Sequence, residues 1–328
     1  MKVLSRRATL AGMLSLSACA PVVQHSGSPP LGFSGPRLDA NTFVAADGTA
    51  LPMNVWAAEG EPWAVLVALH GMGDYARAFD YGAGAWWASQ GVTTYAYDQR
   101  GFGRSPNRGL WGGQPLMAED LRTAVALARA RHPKATIAVL GHSMGGAVAI
   151  TAFASDHPPA ADRLIVAAPA VWGWREQPLT NKAALWISAH VAPSWSLSPP
   201  DWLTRKIHAS DNIPVLIAMG RDPNMIFRTR VDAIYGLMQL MQQADDQLGR
   251  VKAPVLYLYG ARDEIIPKDA TLHAARGLKP TDRSAYYPHG YHLLTRDLEG
   301  PKVWADVVAY LRDKDAPLPS GVGGLPAA

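Results

Sequence analysis

The chain holds a single cysteine, Cys19, among 328 residues. No internal disulfide is open to it, so stability must come from a buried core, which this length and a hydrophobic content of 48% suffice to build. Long apolar runs are scarce as well. The stretch from Ala8 to Ala18 falls short of the roughly 20 residues a membrane-spanning helix needs. An excess of one charge is also missing. The formal net charge is +4, but Lys2, Arg6 and Arg7 lie in the first eighteen residues, which contain no acids, and setting that stretch aside leaves 28 basic against 27 acidic residues. No basic cluster or aromatic-interleaved basic stripe remains to neutralise phosphates, which argues against nucleic acid as a partner. There is no CxxC, no HExxH, no P-loop and no GxGxxG opening a first βαβ unit, so neither a metal nor an organic cofactor is expected.

What is present begins with MKVLSRRATLAGMLSLSACAP, a charged start, an apolar stretch and then small residues, the pattern of an export signal. Within it SRRATL resembles a twin-arginine export motif. LSAC, at positions 16 to 19, resembles a bacterial lipobox, in which the cysteine becomes the lipidated first residue of the mature protein. The alternative is an ordinary signal peptide in which Cys19 is incidental. Residues 1–19 are therefore read as a signal with a lipobox, and the protein as exported and anchored through Cys19 to a bacterial membrane, facing the periplasm. Acyl chains hold a protein at a membrane surface without any spanning helix. Residues 20–36, APVVQHSGSPPLGFSGP, are read as a flexible tether, and residues 314–328 as a disordered tail.

Between these ends short apolar runs alternate with longer helical patterns. TFVAADG and LPMNVWAA flank an Asp47-Gly48 turn as a hairpin, and WAVLVALH, VTTYAYD, TIAVLGH, RLIVAAP and APVLYLYG follow as strands buried on both faces. LMAEDLRTAVALARARH, with Leu121, Val125 and Ala128 on one face, and PKVWADVVAYLRD are helical. The repetition predicts an α/β fold with a mostly parallel central sheet and helices on both faces. Residues 37–170 and 251–313 form this core. Residues 171–250 interrupt it as a helical cap, rich in Trp (Trp172, Trp174, Trp186, Trp195, Trp202) and Met (Met219, Met225, Met238, Met241), with Ile234, Leu237, Met238 and Met241 at helical spacing. Such residues pack an insert onto its core, and they also line adaptable apolar pockets.

Chemistry concentrates at LGHSMGG, residues 140–146. GxSxG alone arises by chance, but here a strand pattern precedes Ser143 and a small-residue helix pattern follows it. That is the setting of a nucleophile held on a sharp strand-to-helix turn. The backbone N–H of Met144 then faces an oxyanion formed at an attacked carbonyl. LHGMGD, directly after WAVLVALH, offers the Met72 N–H as a second oxyanion donor; the plain alternative is a glycine turn leaving a strand. Serine needs a base, and the base needs a carboxylate to fix its tautomer. His292, in YYPHGYHLLTRD, is preferred to His289 because it follows the glycine that turns the loop inward. Asp263, in YLYGARDEIIP, is preferred to Glu264, its simpler reading being a turn carboxylate. YDQRGFGRS matches a DxRGxGxS loop with an architectural role, and neither Asp98 nor Arg100 is assigned to catalysis.

Taken in order, HGMGD, GHSMGG, LYGARDEIIP and YPHGYHLLTRD resemble the α/β-hydrolase superfamily over nearly all of residues 40–312, and within it the monoacylglycerol lipase and lysophospholipase group. The resemblance implies a serine hydrolase acting through an acyl-enzyme on monoacylglycerol or lysophospholipid, with Ser143, Asp263 and His292 catalytic and Met72 and Met144 as backbone oxyanion donors. Asp297 stands where that group often has glutamate. The alternatives are a general carboxylesterase or a transacylase with the same triad, or a surface-anchored binding protein that keeps the fold without catalysis.

Overall fold

In the computed structural model, residues 20–198 and 206–326 are described. The signal and lipobox readings, Cys19 included, and Trp202 of the cap lie outside them. Nine strands form one sheet in the order β1-β2-β3-β5-β4-β6-β7-β10-β11. Six of these, β5 (Val92–Tyr97), β4 (Ala64–Leu69), β6 (Thr136–His142), β7 (Arg163–Ala167), β10 (Val255–Gly260) and β11 (Arg283–Tyr287), run parallel. The edge is antiparallel: β3 (Ala50–Trp56), β2 (Thr42–Val44) and β1 (Arg37–Leu38). Every residue of β4, β5 and β10 is buried, because helices cover both faces and leave neither side open to solvent.

One face holds α2 (Gln114–Arg131) and α3 (Met144–Phe153), which carry Leu121, Val125, Val148 and Phe153 into the larger core. The other holds α1 (Ala83–Ser89) and α8 (Gly300–Arg312), with Trp87, Val303 and Val307. The DxRGxGxS loop is bolted to this frame. Arg100 forms bidentate pairs with Asp120 (2.7 and 2.8 Å) and Asp47 (3.0 Å each), all three buried, while Asp98 accepts the Ala76 N–H at 3.0 Å and pairs with Arg104 at 2.9 Å.

Between β7 and β10 lie α4 (Leu179–Val191), a two-stranded ribbon of β8 (Ser196–Leu197) and β9 (Thr229–Arg230), α5 (Ile213–Gly220) and α6 (Val231–Gln247). α6 lies against α3 through Ala233, Leu240, Met241 and Ala244; Leu237 and Met238 are half-buried beside them. α7 (Lys268–Ala275) follows β10.

Both terminal expectations need correction. Residues 20–36 are not a free leash. Val23 bridges Trp111, the Gln24 N–H donates to Trp111 O at 2.8 Å, and the Gly27 N–H reaches Asp47 Oδ2 at 3.2 Å. Nor is the end a loose tail. Leu318 is buried, the Ser320 N–H donates to Asp306 Oδ1 at 2.8 Å, and the Tyr286 N–H donates to Gly323 O at 2.9 Å. Pro/Gly/Ser-rich chain lacks the apolar side chains to build a core, but its backbone still hydrogen-bonds acceptors that a finished core presents.

Candidate active site

Ser143 sits at the bend between β6 and α3 with φ 51° and ψ −116°, one of three non-glycine residues at positive φ among the described residues. Close approach explains its glycine neighbours. A Cβ on Gly141 would lie 2.5 Å from Gly145 O, and one on Gly145 would lie 2.5 Å from Leu69 O, at the end of β4. Backbone bonds hold the bend: the Ser143 N–H donates to Ala167 O and the Ala170 N–H to Ser143 O, both at 3.0 Å. The serine is only 8% exposed.

Asp263, in the loop after β10, uses its two oxygens for two tasks. Oδ1 accepts the N–H groups of Ile265 (2.8 Å) and Ile266 (2.9 Å), while Oδ2 accepts from His292 Nδ1 at 2.8 Å. The turn-carboxylate reading and the histidine-partner reading both describe this one side chain. The His292 ring nitrogen facing away from Asp263, Nε2, is thereby left as the acceptor. His292 comes from the loop after β11, where Gly290 packs so closely on Gly260 that a Cβ on Gly260 would strike the Gly290 carbonyl. The rivals are elsewhere: His289 is exposed beside Arg262, and exposed Glu264 accepts the His208 N–H.

The His292 loop is fastened to the serine bend through a residue the sequence reading passed over. His142 is buried, and desolvation, followed by repulsion from His292, pushes its pKa well below 6.5, so the ring is neutral. Its Nε2 donates to His292 O at 3.0 Å, and the two rings lie 5.0 Å apart. Because His142 directly precedes Ser143, the imidazole of His292 is brought to the serine bend. Among the described residues no hydrogen bond joins Ser143 Oγ to His292; such bonds commonly tighten only with substrate bound.

Residues 71–74 form the facing wall. A Cβ on Gly71 would lie 3.2 Å from Ser143 Cβ, so this loop abuts the bend. Met144 opens α3, which leaves its N–H without an intrahelical acceptor. Met72 is half-buried, and its N–H forms no hydrogen bond among the described residues. His70 is occupied in holding this loop, with Nδ1 on Gly71 O at 2.8 Å and Nε2 accepting the Gln99 N–H at 2.9 Å.

Two further anchors went unread in the sequence. Asp74 Oδ2 pairs with Arg296 at 2.5 Å, both buried, tying the Met72 loop to the His292 loop. Asp222, from the cap, accepts from Tyr75 OH (2.7 Å) and Arg77 (2.9 Å), and the Ile226 N–H donates to Gly73 O at 2.8 Å. Asp74 and Arg296 stand inside the HGMGD and YPHGYHLLTRD motifs, but nothing in either motif marks the other as its partner. Asp297 accepts from Ser210 Oγ (2.6 Å) and the Tyr291 N–H (2.7 Å), and burial lifts its carboxyl from 3.8 to about 6.

Comparison with known proteins places this arrangement. The Hydrolase_4 family model, described as serine aminopeptidase S33, matches residues 60–299. The chain is 27% identical over 283 residues to a monoacylglycerol lipase of Mycolicibacterium smegmatis, covering 83% of this chain and 96% of that protein. It is 26% identical over 268 residues to the Homo sapiens monoglyceride lipase, covering 80% and 86%. In fold it matches a soluble variant of the Saccharomyces cerevisiae monoglyceride lipase with a TM-score of 0.70 at 18% identity, covering 89% of this chain and 100% of that one. The chain thus belongs to the Hydrolase_4 (serine aminopeptidase S33) family and is a monoacylglycerol lipase-like α/β-hydrolase.

Proposed function

We propose that this protein is a serine hydrolase that cleaves carboxylic esters of amphiphilic lipids, monoacylglycerol first and lysophospholipid second. Ser143 Oγ attacks the ester carbonyl carbon while His292 Nε2 takes its proton. The tetrahedral oxyanion receives the Met72 and Met144 N–H groups. His292 returns the proton to the departing alcohol, leaving an acyl group on Ser143. Water, deprotonated by the same nitrogen, then releases the fatty acid. The observation that carries this reading is the 2.8 Å contact between His292 Nδ1 and Asp263 Oδ2, made next to a serine held at positive φ.

A lipid substrate is supported by the cap, where a hollow of about 450 Å³, lined by Trp174, Leu179, Trp186, Ile187 and Tyr235 and also by Lys182, has the mainly apolar wall that suits an acyl chain. Acylation at Cys19 and export to the periplasmic side of a bacterial membrane belong to the same proposal, since they would keep the enzyme beside such substrates. The test is hydrolysis of p-nitrophenyl esters across acyl lengths, compared with monoacylglycerol, lysophospholipid and an aminoacyl p-nitroanilide. Preference for the long-chain monoacylglycerol is expected. Faster cleavage of the anilide, or of short esters over every lipid, would overturn the substrate assignment.

A further inference from the structure

The β8–β9 ribbon of the cap presents an unusual combination of side chains. Trp195 is 69% exposed, Phe227 53% and Leu197 50%, on or beside two strands that bury almost nothing. Next to them a hollow of about 590 Å³ is bordered by Arg108 and Arg228 together with Met225, Ile226 and Phe227. Of the three arginines that border the hollow, Arg230 pairs with a carboxylate, Asp232, at 2.6 Å. Arg108 and Arg228 do not. Arg108 donates to the carbonyls of Pro223 (2.7 Å) and Met225 (3.0 Å), Arg228 only to Ser196 O at 3.4 Å, and neither forms an ion pair among the described residues. Two guanidinium groups without anions, together with an indole, a phenyl and a leucine exposed on or beside the same ribbon, complement a surface of phosphate groups above an apolar layer.

The seated N-terminal segment bears on the same face. Val22 N–H donates to Asp232 Oδ2 at 3.4 Å, and Asp232 also holds Arg230 at the end of β9. From Val22 onward the chain lies along the body. Only Ala20 and Pro21 separate Val22 from Cys19, three steps along the chain and a reach of about 10 Å, whereas a free leash from Cys19 to Pro36 would span up to roughly 60 Å. A long leash selects no orientation. A short one ending beside β9 brings this particular face to whatever surface holds Cys19.

We infer that the β8–β9 face of the cap is a docking surface for an anionic phospholipid bilayer. Trp195, Leu197 and Phe227 enter the interfacial layer, and Arg108 and Arg228 meet headgroup phosphates. The orienting part of the argument rests on the proposed acylation of Cys19; the surface itself does not. Docking this way would hold the cap against the layer that contains the substrate.

The test uses the chain from Ala20 onward, which holds every element of the described fold, floated with vesicles of phosphatidylcholine and phosphatidylglycerol in equal parts or of phosphatidylcholine alone. Binding to the anionic vesicles, weakened by salt, is expected. Arg228→Glu, which disturbs a single long hydrogen bond, should reduce it on the order of tenfold or more, and the double variant Trp195→Ser, Phe227→Ser should abolish it. The ribbon variants should hydrolyse a soluble short-chain ester at the parental rate, which verifies their folding. Ile187→Ser, on the separate exposed apolar face of α4, should leave flotation unchanged. Loss of flotation in Ile187→Ser with none in the ribbon variants would overturn the inference, as would equal binding to neutral vesicles or no binding by the parent. Acyl mass on Cys19, measured on the full chain, reports separately on the anchoring proposal.

Discussion

Replacing Gly145 by alanine perturbs the bend without touching any group that reacts. Its Cβ would lie 2.5 Å from Leu69 O and 2.7 Å from His70 O, both backbone atoms at the end of β4 that no rotamer change can move aside. Ordinary contact begins near 3.4 Å, so α3 and β4 must separate by roughly 0.9 Å, close to the 1 Å misplacement that can cost about a hundredfold in rate. That separation pulls the Met144 N–H and Ser143 away from the Met72 loop. Overpacking of this kind also destabilises by about 1–3 kcal/mol. The assay is kcat on a soluble p-nitrophenyl ester, with a denaturant melt run in parallel. Gly220→Ala, whose Cβ would meet nothing within 4 Å, serves as control and should retain parental activity. A Gly145→Ala enzyme within twofold of the parent would refute the claim that contact between α3 and β4 sets the geometry of the site.

Three further outcomes follow from named contacts. Asp263→Asn keeps an oxygen for the Ile265 and Ile266 N–H groups only by turning its NH2 toward His292 Nδ1, which forces the proton onto Nε2; kcat should fall about 10⁴-fold with the fold intact, and a loss under tenfold would contradict the tautomer argument. Asp222→Ala releases Tyr75 and Arg77 from the cap and loosens the Met72 loop, so kcat for a short soluble ester should drop about tenfold with KM little changed, whereas a pure KM effect would mean that the cap contact serves binding alone. Burial holds Asp297 at about 6 against 3.8, so the folded state binds its proton more tightly than the unfolded chain, and stability should fall as pH rises from about 4 to about 6 and level off above. A displacement of about two pH units corresponds to about 3 kcal/mol. Asp297→Asn should remove that slope from melts taken across the window, and a parent–variant difference that stays flat there would contradict the assignment.

The fold was legible because its signals are local. Runs such as VLVAL and VLYLY must be buried on both faces, and GHSMGG allows only one close packing of a helix against a strand. The site residues lay beside those strand ends, so their motifs could be read one by one. What joins the motifs could not. Asp74 to Arg296 spans 222 residues, Tyr75 to Asp222 spans 147, and His142 to His292 spans 150. Each is a single polar contact with no periodicity to announce it. The terminal segments were misread for a related reason: composition reports which side chains cannot form a core, whereas Gly27, Ser320 and Leu325 dock through backbone N–H groups onto Asp47, Asp306 and Ser284. Two-residue strands such as β1, β8 and β9 carry too little pattern to be read at all.

The central claim is that an ester's acyl group passes through Ser143, and covalent labelling with a fluorophosphonate tests it most directly. One adduct, located by peptide mass on the segment containing Ser143, lost in Ser143→Ala along with ester hydrolysis, is the predicted result. Hydrolysis persisting at the parental rate in Ser143→Ala, or an adduct on any other residue, would contradict it.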